Sequence, residues 1–106
     1  MIVEDPEQTF AFLQAVFGAQ GEVRPGQPIE ARIDDSLIMV SGAGERPLFP
    51  AFLYVYVEDA DAGYARAIEA GAVSIEAPLD TPYGDRRGMV RDPAGNVFQI
   101  AHRLPD

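Results

Sequence analysis

Apolar residues recur along this chain with two periods, and the periods alternate. Phe10, Leu13, Val16 and Phe17 are spaced by three or four positions, which predicts an amphipathic helix with one apolar face. Asp5 stands ahead of it as N-cap, Pro6 occupies the first helical position, and Glu7 lies beside the positive end of the helix dipole. Gly18 closes the helix in the left-handed conformation. A second helix runs from the Asp59 cap to about Ala70, carries Tyr64, Ala67 and Ile68, and stops at Gly71. Between and around them lie strand-like stretches. Met1-Ile2-Val3 ends a first strand, 21–24 is a weak one that stops at the Arg24-Pro25-Gly26 turn, and 29–33 and 36–41 flank a tight Asp34-Asp35 turn. The clearest is 52–57, where alternation puts Phe52, Tyr54 and Tyr56 on one face and Leu53, Val55 and Val57 on the other. Further strands are predicted over 73–77, 87–91 and 97–101.

The last two strands flank Asp92-Pro93-Ala94-Gly95-Asn96. Asp92 can accept backbone hydrogen bonds, Pro93 pre-sets its own φ, and Gly95 can take a positive φ. A type I turn followed by a left-handed glycine makes a hairpin with a bulge. That register sets Arg91 across from Val97, Met89 across from Gln99 and Arg87 across from Ala101. The hairpin is entered through a loop bearing Gly84, after Pro82-Tyr83.

The two halves of the chain repeat one another. Val3-Glu4-Asp5 recurs as Val57-Glu58-Asp59, Phe10-Ala11 as Tyr64-Ala65, and Gly18-Ala19 as Gly71-Ala72 one residue short. Each half reads as strand, capped helix, glycine stop and roughly three strands.

The run YGDRRGMVRDPAGNVFQIAHR resembles the last hairpin of the vicinal-oxygen-chelate superfamily, the glyoxalase, bleomycin-resistance and extradiol-dioxygenase relatives. FAFLQAVFGA is similar to the family's first helix, and YVYVEDADAGYARAIEAGA to its second. Leu13 departs from the tyrosine that many relatives have, and the first strand is short. The resemblance implies an α+β fold of two βαβββ modules, residues 1–50 and 51–106 of a single domain. Their mostly antiparallel half-sheets would curl into a cup. It also implies homodimers.

Length and composition narrow the function. One hundred and six residues suit one domain, and no apolar run reaches the roughly 18 residues of a membrane span. The acidic start, MIVEDPEQ, is unlike a secretory signal, and with no cysteine there is no disulfide or thiolate metal site. Cytoplasmic residence is the default expectation. The net charge of −9 argues against a nucleic-acid partner. Gly42 to Pro47 is a loop without the strand-to-helix context or the lysine of a phosphate cradle.

In metal-dependent members of the superfamily, four strands each give the cup a His, Glu or Gln ligand. Carried over, the first position precedes Met1, the second falls on Met39, the third on Phe52 and the fourth on Gln99. Only Gln99 could coordinate a hard cation, so neither metal nor cofactor is expected. His102, the single histidine, shares the parity of Phe98 and Ile100 and reads as a packed or edge residue rather than a base or ligand. No catalytic set can be proposed. By parity Phe52, Tyr54 and Tyr56 share a face with Met39, Gln99, Met89, Arg87 and Arg91. That face is either a ligand pocket or core filling between half-sheets. The expectation is a homodimeric small-molecule-binding protein rather than an enzyme. The alternatives are a glyoxalase-type lyase or isomerase, or a dioxygenase, with a rearranged metal site, and a drug-sequestering resistance protein.

Overall fold

The computed structural model describes residues 1–44 and 46–106. Nine elements follow in the order β1 (Ile2–Val3), α1 (Pro6–Phe17), β2 (Ile29–Ile33), β3 (Ser36–Gly42), β4 (Phe52–Tyr56), α2 (Ala60–Glu69), β5 (Val73–Asp80), β6 (Asp85–Arg91) and β7 (Val97–Arg103). They form a three-stranded sheet in the order β1-β3-β2 and a four-stranded sheet in the order β4-β7-β6-β5. The α+β architecture is the expected one, with two half-sheets that do not close on each other.

Both helix starts are built as the caps predict. The Asp5 carboxylate accepts from the Gln8 amide, and that of Asp59 from Asp61 and Ala62. Gly18 ends α1 at φ 68°. The buried stripe of α1 is Thr9, Phe10, Phe12, Leu13 and Val16; Phe17 is only half buried, and Phe12 joins the face that spacing alone assigned to four residues. Helix α1 covers the three-stranded sheet and α2 the four-stranded one. The helices touch each other, and Arg66 Nε of α2 donates to the Val16 carbonyl of α1 over 3.1 Å.

Between helices and sheets lies one core of Val3, Phe10, Leu13, Val40, Val90, Phe98 and Ile100 with their neighbours. Helix α2 can approach its sheet closely because two contact positions lack a Cβ. A Cβ on Gly63 would lie 2.9 Å from Ile100 Cγ2, and one on Gly88 2.9 Å from the Tyr64 ring.

Two strand readings need correction. Residues 21–24 form no strand; the first half keeps only an isolated bridge, Gln20 with Arg32, where the second half has all of β5. The Arg24-Pro25-Gly26 turn shortens what could pair, and Gly21 contributes no side chain to pack. Strand β5 instead runs three residues past its expected end, through Pro78 to Asp80. It is an edge strand, where proline removes no necessary hydrogen bond, and its pairing with β6 breaks register twice, around Glu76. Of the loop read over 42–47, Gly42 closes β3 and Glu45 lies outside the described residues.

The terminal hairpin has the predicted register: Arg91 faces Val97, Met89 faces Gln99 and Arg87 faces Ala101. Gly95 sits at φ 92°, where a Cβ is strained. The motif around it is a structural knot. Asp92 Oδ1 accepts from the Ala94 and Asn96 amides, and Oδ2 accepts from Asn96 Nδ2. Asn96 Oδ1 in turn accepts from the Ala51 amide over 2.8 Å, which fixes the entry of β4 against β7.

Candidate functional site on the four-stranded sheet

Strands β4, β7 and β6 lie side by side in a register that lines up Tyr54 with Gln99 and Met89, and Tyr56 with Ala101 and Arg87. Alternation then puts these side chains on the face turned away from the helices. Phe52 and Arg91 stand on the same face, both beside Val97. Phe52 is 67% exposed. Met39 is on β3 of the other sheet and is exposed.

The face carries two polar clusters. At one end the Asp85 carboxylate is nearly buried, 2% exposed, and its Oδ2 accepts from both tyrosines: 2.6 Å from Tyr54 and 2.8 Å from Tyr56. The Tyr83 hydroxyl lies 3.4 Å from that of Tyr54. The rings of Tyr54 and Tyr56 are 5.3 Å apart and tilted by 55°. The Arg103 guanidinium lies over the Tyr56 ring, 4.9 Å from its centre. In the middle of the face Arg87 donates to Gln99 Oε1 over 3.0 Å and forms an ion pair with Glu76. Arg87 is therefore already paired, and the amide oxygen of Gln99 is already used.

The electrostatics follow from these contacts. Hydrogen bonds from Tyr54 and Tyr56 hold the Asp85 carboxyl below the usual carboxylate range, against the opposing effect of burial. Burial, followed by the bonds to Asp85 and Tyr83, pushes the Tyr54 phenol far above its ordinary value. For Tyr56 the bond to Asp85 is the main cause of an upward shift. A carboxylate with a lowered pKa contributes stability above the unfolded value of about 3.9, and that contribution is lost as pH falls through the lower folded value. The phenols act in the opposite direction. Their contribution is complete below about pH 10 and is lost as pH rises through their raised values.

Absorbance titration at about pH 10.5, just above the ordinary phenol value, should show fewer ionised tyrosines in the folded chain than in the unfolded one. The deficit should be up to two of the four. Asp85→Asn should shrink it, the Tyr56 share first. Equal phenolate signals in folded and unfolded protein would contradict the Asp85 arrangement.

Asp85, Tyr83, Glu76 and Arg103 are absent from the sequence-based site. Alternation could have found two of them. Asp85 is two residues before Arg87, and Arg103 two after Ala101, so both share the face once the strands are allowed to run further. Glu76 sits on β5 between two register breaks, and Tyr83 lies in a loop, so period two reaches neither.

His102 lies on the opposite side, where its Nδ1 accepts from the Ala60 amide over 2.7 Å. It thereby satisfies one free N–H at the start of α2. The inherited metal positions do not suit a hard cation: Met39 and Phe52 offer no oxygen or nitrogen, and Gln99 is held by Arg87. Among the described residues no three His, Cys, Asp or Glu side chains are grouped to hold a metal ion. Among them, too, no helix is long and apolar enough to cross a membrane.

Known proteins agree with this fold. Residues 1–100 match the model of the glyoxalase/bleomycin resistance protein/dioxygenase superfamily. The crystal structure of a family enzyme from Burkholderia phytofirmans PsJN superposes with a TM-score of 0.83 at 27% identity, covering 98% of this chain and 94% of that one. TioX from Micromonospora sp. ML1 superposes with a TM-score of 0.79 at 26% identity, covering 98% of both chains. "Putative glyoxylase CFP32" of Mycobacterium tuberculosis is 32% identical over 113 aligned positions, 99% of this chain. The chain spans 42% of that relative's length. The family match over residues 1–100, with the two half-sheets and their capped helices, places this chain in the glyoxalase/bleomycin resistance protein/dioxygenase superfamily.

Proposed function

We propose that this chain binds a small, partly aromatic organic molecule on the open face of its four-stranded sheet. The observation that carries this reading is the Tyr54–Tyr56 pair. Two aromatic rings stand tilted on one face with their hydroxyls tied to a single nearly buried carboxylate. The hydroxyls are anchored at the sheet and the rings remain as a preformed stacking surface, so little ordering is required when a ligand arrives. The Arg103 guanidinium over Tyr56 is the kind of contact a flat cation would make on such a ring, which supports this reading. Phe52 and Met89 add apolar surface. Arg91, exposed at the far end, offers a charge-assisted contact that the paired Arg87 does not.

A homodimer belongs to this proposal. Phe52, Leu37 and Met39 expose apolar surface on sheets that do not close on each other, and a second copy would cover them and deepen the face into a cup. The binding role is favoured over metal-assisted chemistry by the same residues. Where a cation would need Met39 and Phe52, the chain has apolar side chains.

Tyr54→Ala should weaken an aromatic compound found by thermal-shift screening by about tenfold or more, or roughly 1.4 kcal/mol. The mass measured by light scattering should not change. An unchanged dissociation constant, or a screen of aromatic cations, anions and neutral compounds that yields no binder, would count against the proposal.

A further inference from the structure

We infer that the small molecule taken by this face carries a planar, delocalised cation of the amidinium or guanidinium class, and that Arg103 is its built-in rival for the Tyr56 ring, a reading that rests on the small-molecule role proposed above. Asp85 and Arg103 stand directly opposite each other in the β6–β7 register. Opposite charges so placed ordinarily pair. Here they do not: among the described residues Asp85 makes no ion pair, and the Arg103 guanidinium lies over Tyr56 instead. Two phenol hydroxyls meet Asp85 Oδ2, while Oδ1 is buried with no hydrogen-bond partner among the described residues. Phenols are neutral donors, so a nearly buried carboxylate keeps its negative charge with no cation within ion-pair reach. A charge held that way is unfavourable until a counter-charge comes near.

The two phenols bring that charge to the surface. An O–H that donates to a carboxylate is polarised toward phenolate, which moves electron density onto its ring and makes the ring face more negative. A cation on that face gains from the ring quadrupole and from the carboxylate behind it, and an anion loses by both. Tyr56 is 50% exposed, and Tyr83, whose hydroxyl lies 3.4 Å from that of Tyr54, is exposed beside the pair. Ring surface is therefore available to a ligand. A flat guanidinium or amidinium suits it better than a compact ammonium, which is more strongly hydrated and stacks less well. The net charge of −9 raises the local concentration of any such cation.

Arg103 already uses this property. It is exposed, and among the described residues it makes no ion pair, so the Tyr56 ring is what holds its guanidinium. A cation–π contact at an exposed position is worth only about a two- to fivefold preference. A ligand that presents the same flat cation, together with an aromatic ring of its own for Tyr54 and Met89 to meet, displaces it. The side chain then swings into solvent, and its charge no longer opposes the ligand's at the ring.

The test uses benzamidine, benzamide and benzoate, which share one flat shape and differ in charge. Followed by the tyrosine ring resonances, benzamidine should bind about tenfold more tightly than the other two. In the free protein the Arg103 side-chain protons should be shifted by the Tyr56 ring current, and they should return to their ordinary position as benzamidine saturates the site. Arg103→Gln should tighten benzamidine by about threefold and leave benzamide unchanged. Asp85→Asn should bring benzamidine down to the level of benzamide. Arg103 is exposed, so its variant decides the matter even if Asp85→Asn fails to fold. Equal binding of benzamidine and benzamide, or weaker benzamidine binding in Arg103→Gln, would overturn the proposal. So would Arg103 protons that stay in place while benzamidine binds. Each of these outcomes leaves the small-molecule reading intact, since that reading is decided by the loss of aromatic ligands of any charge in Tyr54→Ala.

Discussion

Asp92→Ala is expected to lower the melting temperature by roughly 15 °C or more, at about 4–8 °C per kcal/mol for a domain near this size. The carboxylate is 3% exposed and accepts three hydrogen bonds, from the Ala94 and Asn96 amides and from Asn96 Nδ2. Removing the acceptor strands these donors, two of them on the fully buried Asn96. A buried donor left without a partner costs about 1–3 kcal/mol, so the sum is on the order of 3–5 kcal/mol once water reaches the exposed side of the turn. The effect extends further because Asn96, released on one side, still has to hold the Ala51 amide at the start of β4. Asp92→Asn keeps an acceptor for the two amides but sets two amide groups against each other at Asn96, so it should fall between alanine and the parent. Ala94→Ser should do almost nothing. A melting temperature for Asp92→Ala within a few degrees of the parent would show that the turn is not held this way.

Phe98→Ala should be comparably damaging, for a different reason. Phe98 is fully buried on β7, yet the rings against it, Phe12 at 5.6 Å and Phe17 at 5.4 Å, belong to α1. Truncation of such a phenylalanine costs about 3–5 kcal/mol, part of it from the cavity left behind. Here the cavity would open at the contact between the two halves of the chain. All four tyrosines lie in the second half, so near-ultraviolet dichroism reports mainly on the packing of that half, whereas far-ultraviolet dichroism reports on both helices. In the parent the two signals should melt together. In Phe98→Ala they should separate, because the halves no longer hold each other in one cooperative unit. Coincident transitions at an unchanged midpoint would locate the coupling elsewhere, at Arg66 and Val16 for instance.

What could be read in the sequence was local chemistry. Asp5-Pro6 and Asp59 announce helix starts because a carboxylate ahead of a helical pattern has one obvious use. Gly95 sets the hairpin register because only certain turn geometries need a glycine there. The face of Tyr54, Tyr56, Met89 and Gln99 then follows from counting by twos. What could not be read depends on partners distant in sequence. Asp85 reads as a loop residue because Gly84 precedes it; what makes it part of the site is the reach of Tyr54 and Tyr56 from another strand. Arg87 reads as a free cation until Glu76 is brought across a strand pair whose register breaks twice. Residues 21–24 carry one apolar side chain, Val23, and the pairing with β2 stops at the Gln20–Arg32 bridge just before them.

The interrupted edge at β5 has a consequence for how copies of this chain can associate. Growth of a continuous sheet from molecule to molecule needs two regular, complementary edges on each molecule, one to accept and one to donate. On the four-stranded sheet β4 is regular, but β5 is broken around Glu76 and carries Pro78, so it presents no even row of peptide groups. Strand addition at β4 therefore has no second regular edge on that sheet from which to propagate. Filament formation by that route ends after a single step, even though Val73, Ile75 and Leu79 leave apolar side chains exposed along the blocked edge.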